Sequence, residues 1–250
     1  MEALSLDVIL ILAAVAALAG FVDAIAGGGG LLALPALLWA GIPPIEALAT
    51  NKLQGTFGTA TASAKFLSSG KIKLTELKIP IILTFVGSVS GTLAVQQIES
   101  DILSRLIPGL MILFALYFIF SPRVGDEDAH QRISTNLFGL VIGFTAGFYD
   151  GFFGPGTGTF FAIGFVMLLG FNMAKATAGT KILNFTSNIA SLIFFALAGH
   201  VIWTIGLSMG LAQAAGAWIG AHMAIKHGSR LIKPLLVSVS IAISLKLLFS

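Results

Sequence analysis

Two stretches decide the fold: Gly20-Phe-Val-Asp-Ala-Ile-Ala-Gly-Gly-Gly-Gly30 and Gly147-Phe-Tyr-Asp-Gly-Phe-Phe-Gly-Pro-Gly-Thr-Gly158. In each, an aspartate within an apolar segment precedes, by four residues, a glycine run that a continuous helix would not tolerate. The correspondence extends outward. Thr50-Asn-Lys52 falls on Gly179-Thr-Lys181, and Gly70, Gly87 and Gly91 fall on Gly199, Gly216 and Gly220. Ser104-Arg-Leu-Ile107 falls on Ser229-Arg-Leu-Ile232. So many coincidences in order mean that the chain is a duplication, an organisation common in transporters.

Composition places both copies in lipid. Of 250 residues, 56% are apolar and 10% charged, against about 25% charged in a soluble globular chain. Mean hydropathy is +0.97. The net charge of +3 comes from 14 basic residues scattered between apolar runs. They make no basic face, so a nucleic-acid partner is not expected. Cysteine is absent, which excludes disulfides, thiolate metal sites and cysteine nucleophiles. The first apolar run follows Glu2 and Asp7 instead of a basic segment, so it is read as part of the fold and not as a cleaved signal.

Runs long enough to cross about 30 Å of hydrocarbon cover 8–26, 47–67, 79–97, 103–121, 134–153, 176–199, 203–223 and 231–249, with shorter runs at 31–41 and 159–170. The expected architecture is all-α and polytopic, with two inverted repeats whose helices are broken, discontinuous or re-entrant, at the glycines. The repeats are 1–120 and 134–250, and polar 121–133 links them. An odd number of crossings per repeat gathers Lys71, Lys73, Lys78, Arg123, Arg132, Lys226, Arg230 and Lys233 on one side. The positive-inside rule then makes the linker cytoplasmic and both termini external. Residues 1–46 either cross twice or form a re-entrant hairpin, which would set the glycines at mid-depth.

The candidate site is built from four sets of residues. Gly28, Gly29 and Gly30, with Gly156, Thr157 and Gly158, lie at the starts of the helices after each break. Free N–H groups and the positive helix end there suit an anion; glycines that merely aid packing are the alternative, and the preferred one for Gly87, Gly91, Gly139, Gly143, Gly147, Gly216 and Gly220. Asp23 and Asp150, as intramembrane carboxylates, either carry a proton or balance a lysine and cap the next helix. Lys52 and Lys181 need a buried partner, which is a carboxylate, a carbonyl or the anion itself. Asn51, Gln54, Asn184 and Asn188, beside the lysines, either line a cavity or bond between helices. Glu46 and Lys175 read as interfacial. Neither a metal-ligand spacing nor a cofactor or catalytic motif is present, so no cofactor, metal or enzymatic activity is expected.

At these residues the sequence resembles the TauE/SafE sulfite-exporter family. Gly20–Gly30, Gly41-Ile-Pro-Pro-Ile-Glu-Ala-Leu-Ala-Thr-Asn-Lys-Leu-Gln-Gly-Thr-Phe-Gly58, Gly147–Gly158 and Thr180-Lys-Ile-Leu-Asn-Phe-Thr-Ser-Asn188 carry the likeness, which covers about 6–248. The resemblance implies a plasma-membrane permease exporting small sulfur-containing anions such as sulfite or organosulfonates. Joined to the residue reading, the expectation is a carrier of a small anion through a central cavity, in which Asp23 and Asp150 couple it to protons or balance the lysines. An anion channel of the same architecture is the alternative. The lipid bilayer and the anion are the expected partners, and homo-oligomerisation is left open.

Overall fold

A computed structural model describes residues 5–99, 101–107, 109–110 and 130–227. Most of the expected linker, 121–129, and the final run, 231–249, lie outside the described residues, as does most of 103–121. Every regular element described is helical. They are α1 (Leu6–Ala26), α2 (Gly30–Trp39), α3 (Pro44–Ser68), a 3-10 turn (Leu74–Leu77) and α4 (Lys78–Val95). In the second half come α5 (Thr135–Phe138), a π-helical stretch (Gly139–Phe144), α6 (Thr145–Phe152), α7 (Thr157–Leu169), α8 (Met173–Leu197) and α9 (Trp203–His227).

Local chemistry explains the boundaries. Pro43 and Pro44 start α3, where a missing N–H costs nothing. At the corresponding start of α8, Asn172 instead caps the amide of Lys175 at 3.0 Å. Between α1 and α2 the chain passes through Gly27 and Gly28 at φ 76° and 102°, and between α6 and α7 through Gly154 and Gly156 at φ 101° and 86°. These are left-handed values that side chains with a Cβ resist.

Three described helical segments are long and apolar enough to cross a bilayer: Leu6–Ala26, Leu74–Val95 and Met173–Leu197. The expected runs 47–67 and 203–223 form α3 and α9, each of 25 residues, but fall short by composition. The polar residues that α3 buries lower its hydropathy. The exterior carries Leu10, Leu18, Ile82, Leu93, Leu197 and Leu211 exposed, while Lys52, Lys181, Asp150 and Gln54 are buried. That is the reverse of a water-soluble protein, and it suits lipid outside with polar pairs inside.

Helix contacts exchange between the halves. Here α1 lies along α9, and α4 lies along α6 and the π stretch. Glycines permit both contacts. A Cβ on Gly216 would meet the Ala17 carbonyl oxygen at 1.9 Å, and one on Gly91 the Phe148 oxygen at 2.0 Å. Gly20 abuts the Gln213 carbonyl as Gly147 abuts that of Thr84, so these glycines serve close packing.

Two apolar clusters enclose the centre. One holds Leu12, Ala16, Leu34, Leu48, Phe195 and Met209, and the other Ile25, Phe66, Phe138, Phe165, Ile182 and Ala217. Between them run Asn51–Thr59 of α3, Thr180–Ser191 of α8 and Gln213 of α9. Along α3 the chain passes from the first cluster to the second; along α8 it passes back. From the first cluster, at Leu12 and Ala16, α1 runs to the second, at Ala24 and Ile25, and α2 returns to the first through Ala33, Leu34 and Leu37. The second cluster holds Ala146 of α6 and Phe161, Phe165 and Leu169 of α7.

Candidate functional site

The two breaks touch. A Cβ on Gly158 would lie 2.9 Å from Gly27 Cα, and one on Gly30 would lie 3.3 Å from Pro155 Cα. Beside this junction each buried lysine crosses to the other half. Lys52 Nζ lies 3.0 Å from Asp150 Oδ1 and donates to the Asp150 backbone carbonyl. Lys181 Nζ lies 3.0 Å from Asp23 Oδ2 and donates to the Asp23 carbonyl. Each ammonium therefore sits at the carbonyl-rich C-terminal end of a helix, where the helix dipole favours a cation. Gly154 lets Lys52 approach, since a Cβ there would be 2.8 Å from its Nζ.

The aspartates are held differently. Asp23 Oδ1 accepts from the amides of Gly28 and Gly29 at 3.1 and 3.2 Å, capping the break. Asp150 Oδ1 accepts from the Thr157 hydroxyl at 2.8 Å, while Asp150 Oδ2 is buried with no hydrogen-bond partner. Two positive and two negative side chains leave this centre electrically balanced.

A cavity opens at the junction. It is lined by Gly28, Gly30, Asn51, Lys52, Gln54, Gly156, Thr157, Gly158, Asn184, Asn188, Asp23 and Asp150, all singled out by sequence. It gives the centre of a water-sized sphere about 40 Å³. At roughly 10–15 Å³ per water on this measure, that is a chamber for a few waters or one small ion. Two candidates lie elsewhere. Gly29 packs on α1, where a Cβ would meet the Ala19 carbonyl oxygen at 2.7 Å. Lys181 lines a smaller neighbouring cavity with Ile25, Gly27 and Thr180.

The lining includes residues that the sequence reading had not singled out, notably Gly55 and Gln213. A lone amide in the apolar middle of α9 was the available signal for Gln213. It stayed hidden because its counterpart in the first half is Thr84. Lys175, expected at the membrane interface, lies 3.3 Å from Glu76 and is part exposed.

The walls offer both polarities. Among the described residues, the amides of Gly30, Gly156 and Gly158 take no part in the backbone hydrogen bonding of the breaks. The side-chain oxygens of Gln54, Asn184 and Gln213 are buried and unpaired. Gln54 Nε2 donates to Asn51 Oδ1 at 2.7 Å, and Asn188 Nδ2 to the Asn184 carbonyl at 2.9 Å, fixing part of the lining. Beside it, Ser88 and Ser191 hydroxyls stand 2.8 Å apart, and Thr92 donates to Ser191 at 2.9 Å. The corresponding positions of the other half are Ala217, Ala62 and Ala221.

A helical protein with an apolar exterior and a small polar chamber between buried ion pairs has the make-up of a membrane transporter. Comparison with known sequences gives the family. The model of "Sulfite exporter TauE/SafE" matches residues 12–247, and the chain belongs to that family. It is 49% identical over 235 residues to "Probable membrane transporter protein YfcA" of Escherichia coli (strain K12), covering 94% of this chain and 87% of that one. It is 46% identical to "Probable membrane transporter protein ORF9" of Sinorhizobium sp, over 99% and 95% of the two chains. To a "Probable membrane transporter protein" of Haemophilus influenzae it is 45% identical, over 98% and 96%. No solved structure matches the chain.

Proposed function

We propose that the chain exports a small sulfur-containing anion, sulfite or a small organosulfonate, through this central chamber in a proton-coupled, alternating-access cycle. The observation that carries the proposal is the meeting of two glycine breaks, one from each half, over a chamber that also holds Lys52. Unpaired amides at Gly30, Gly156 and Gly158 offer hydrogen bonds to an oxyanion, and the starts of α2 and α7 add positive potential. With the lysines balanced by aspartates, backbone dipoles supply much of the attraction and Lys52 the movable charge. The family's description, sulfite exporter, supports the substrate class.

In this reading 1–120 and 134–250 are inverted repeats, and each glycine break is the tip of a re-entrant hairpin. Opposite courses of α3 and α8, and the return of α2 to the cluster α1 left, support that arrangement. The linker faces the cytoplasm and both termini face outward across the plasma membrane.

Purified protein in proteoliposomes tests the function. Labelled sulfite should accumulate by counterflow against unlabelled sulfite, and sulfate, thiosulfate and sulfonates should rank as competitors. Flux without saturation or counterflow would make the protein a channel, and no flux of any of these anions would remove the substrate class.

A further inference from the structure

The two buried ion pairs occupy equivalent places in the duplication but are not built alike. Both oxygens of Asp23 are engaged by donors: Oδ1 takes the Gly28 and Gly29 amides, and Oδ2 takes Lys181. A proton added there would displace a donor from its acceptor. At Asp150, Oδ1 takes Lys52 and Thr157, and Oδ2 has no donor although the residue is only 4% exposed. An unpaired oxygen on a buried carboxylate is costly, and one proton turns it into a donor. Acceptors are at hand, because the chamber that Asp150 lines also carries the unpaired side-chain oxygens of Gln54, Asn184 and Gln213.

Thr157 completes the asymmetry. Its hydroxyl lies 2.8 Å from Asp150 Oδ1 and 2.6 Å from the Gly154 carbonyl, so its one hydrogen has a second acceptor when Asp150 is neutral. Glycine stands at the equivalent place of the first break. Lys52 also donates to the Asp150 backbone carbonyl, an acceptor that does not depend on the charge of the carboxylate. The charged and titratable groups around Asp150 are few. From α3 comes Lys52, and on α6, the helix of Asp150 itself, Tyr149 donates to the Pro155 carbonyl at 2.6 Å. From α4 and α8 come uncharged Ser88, Thr92, Asn184 and Ser191, while Lys181 of α8 is held by Asp23.

Resting on the proton-coupled reading above, we infer a division of labour: Asp150 is the carboxylate that takes up the proton, and Lys52 the cation it releases to the anion. Lys181 and Asp23 form a fixed strut. The step balances simply. One proton from solvent binds Asp150 Oδ2, the carboxylate becomes a neutral acid, and the Lys52 ammonium is left with one uncompensated positive charge facing the chamber. Loss of the proton restores the pair and expels the anion, giving one proton per turnover.

Infrared difference spectra of the purified full-length protein, between acid and neutral pH, test this without any transport. Exposed carboxyls give a C=O band in every variant; beside it, a separate band from Asp150 should appear in the native protein, vanish in Asp150→Asn and persist in Asp23→Asn. Should Asp23→Asn unfold because it leaves Lys181 unpaired, Asp23→Asn with Lys181→Met removes that charge and serves instead. In sulfite-loaded proteoliposomes, Asp150→Asn should lose the stimulation by a pH gradient. A native protein without the band, or a band removed through Asp23 and not Asp150, overturns the inference. The band behaving as expected with no sulfite flux would uphold the proton site and reject the substrate.

Discussion

At the scale of the residue, four charges at the centre carry the reading. Each lysine is nearly inaccessible, at 1% and 0% exposure, and meets a carboxylate and a carbonyl from the opposite half. Removing one member of a buried pair strands the other, at a cost of about 3–5 kcal/mol. Lys181→Ala should therefore lower the thermal midpoint in detergent, and Lys181→Ala with Asp23→Asn should recover part of the loss. Lys52→Ala should act differently, because Lys52 lines the chamber. Sulfite binding measured by calorimetry should weaken at least tenfold, about 1.4 kcal/mol, and unchanged affinity would remove Lys52 from the site. Both lysines and both aspartates were legible as candidates, since a charge inside an apolar run stands out. Which lysine faces the chamber was not legible, because the two occupy equivalent sequence positions.

At the scale of the element, close helix crossings hold the frame. Gly216 and Gly91 meet carbonyl oxygens of α1 and α6 so closely that any side chain must push the helices apart. Gly216→Ala and Gly91→Ala should each destabilise by about 1–3 kcal/mol, as overpacking does. Gly109→Ala, with no atom of the described residues within 4 Å of its Cβ position, is the control. Equal melting of all three would mean that the crossings are looser than described. Gly158→Ala belongs to another class. Its Cβ would meet Asn184 Nδ2 and Gly27 Cα, both at 2.9 Å, so it should separate the two breaks. Sulfite counterflow should fall more than tenfold with a smaller loss of stability than at Gly216.

At the scale of the whole molecule, the halves exchange partners: α1 rests on α9, α4 on α6, and each lysine reaches the other half's aspartate. Movement of one half against the other must then break or slide these contacts, which makes the centre the natural place to couple motion to an ion. The inverted-repeat topology has a direct test in a chain that lacks cysteine. Single cysteines at exposed Lys71 and Gln131 should react with an impermeant maleimide only from the cytoplasm, and one at Ala198 only from outside. Labelling of Lys71→Cys and Ala198→Cys from the same face would refute the arrangement.

Membrane residence, the paired glycine runs and most of the chamber lining could be read along the chain. Apolar content, repeated glycine runs and stray charges are one-dimensional signals, and lipid makes each expensive to misplace. Tertiary structure alone decided that Lys52 meets Asp150 and Lys181 meets Asp23, that Gln213 joins the lining, and that one carboxylate oxygen stays unpaired. Those outcomes depend on which helices lie side by side, and that is settled by backbone approach at glycines far apart in the chain.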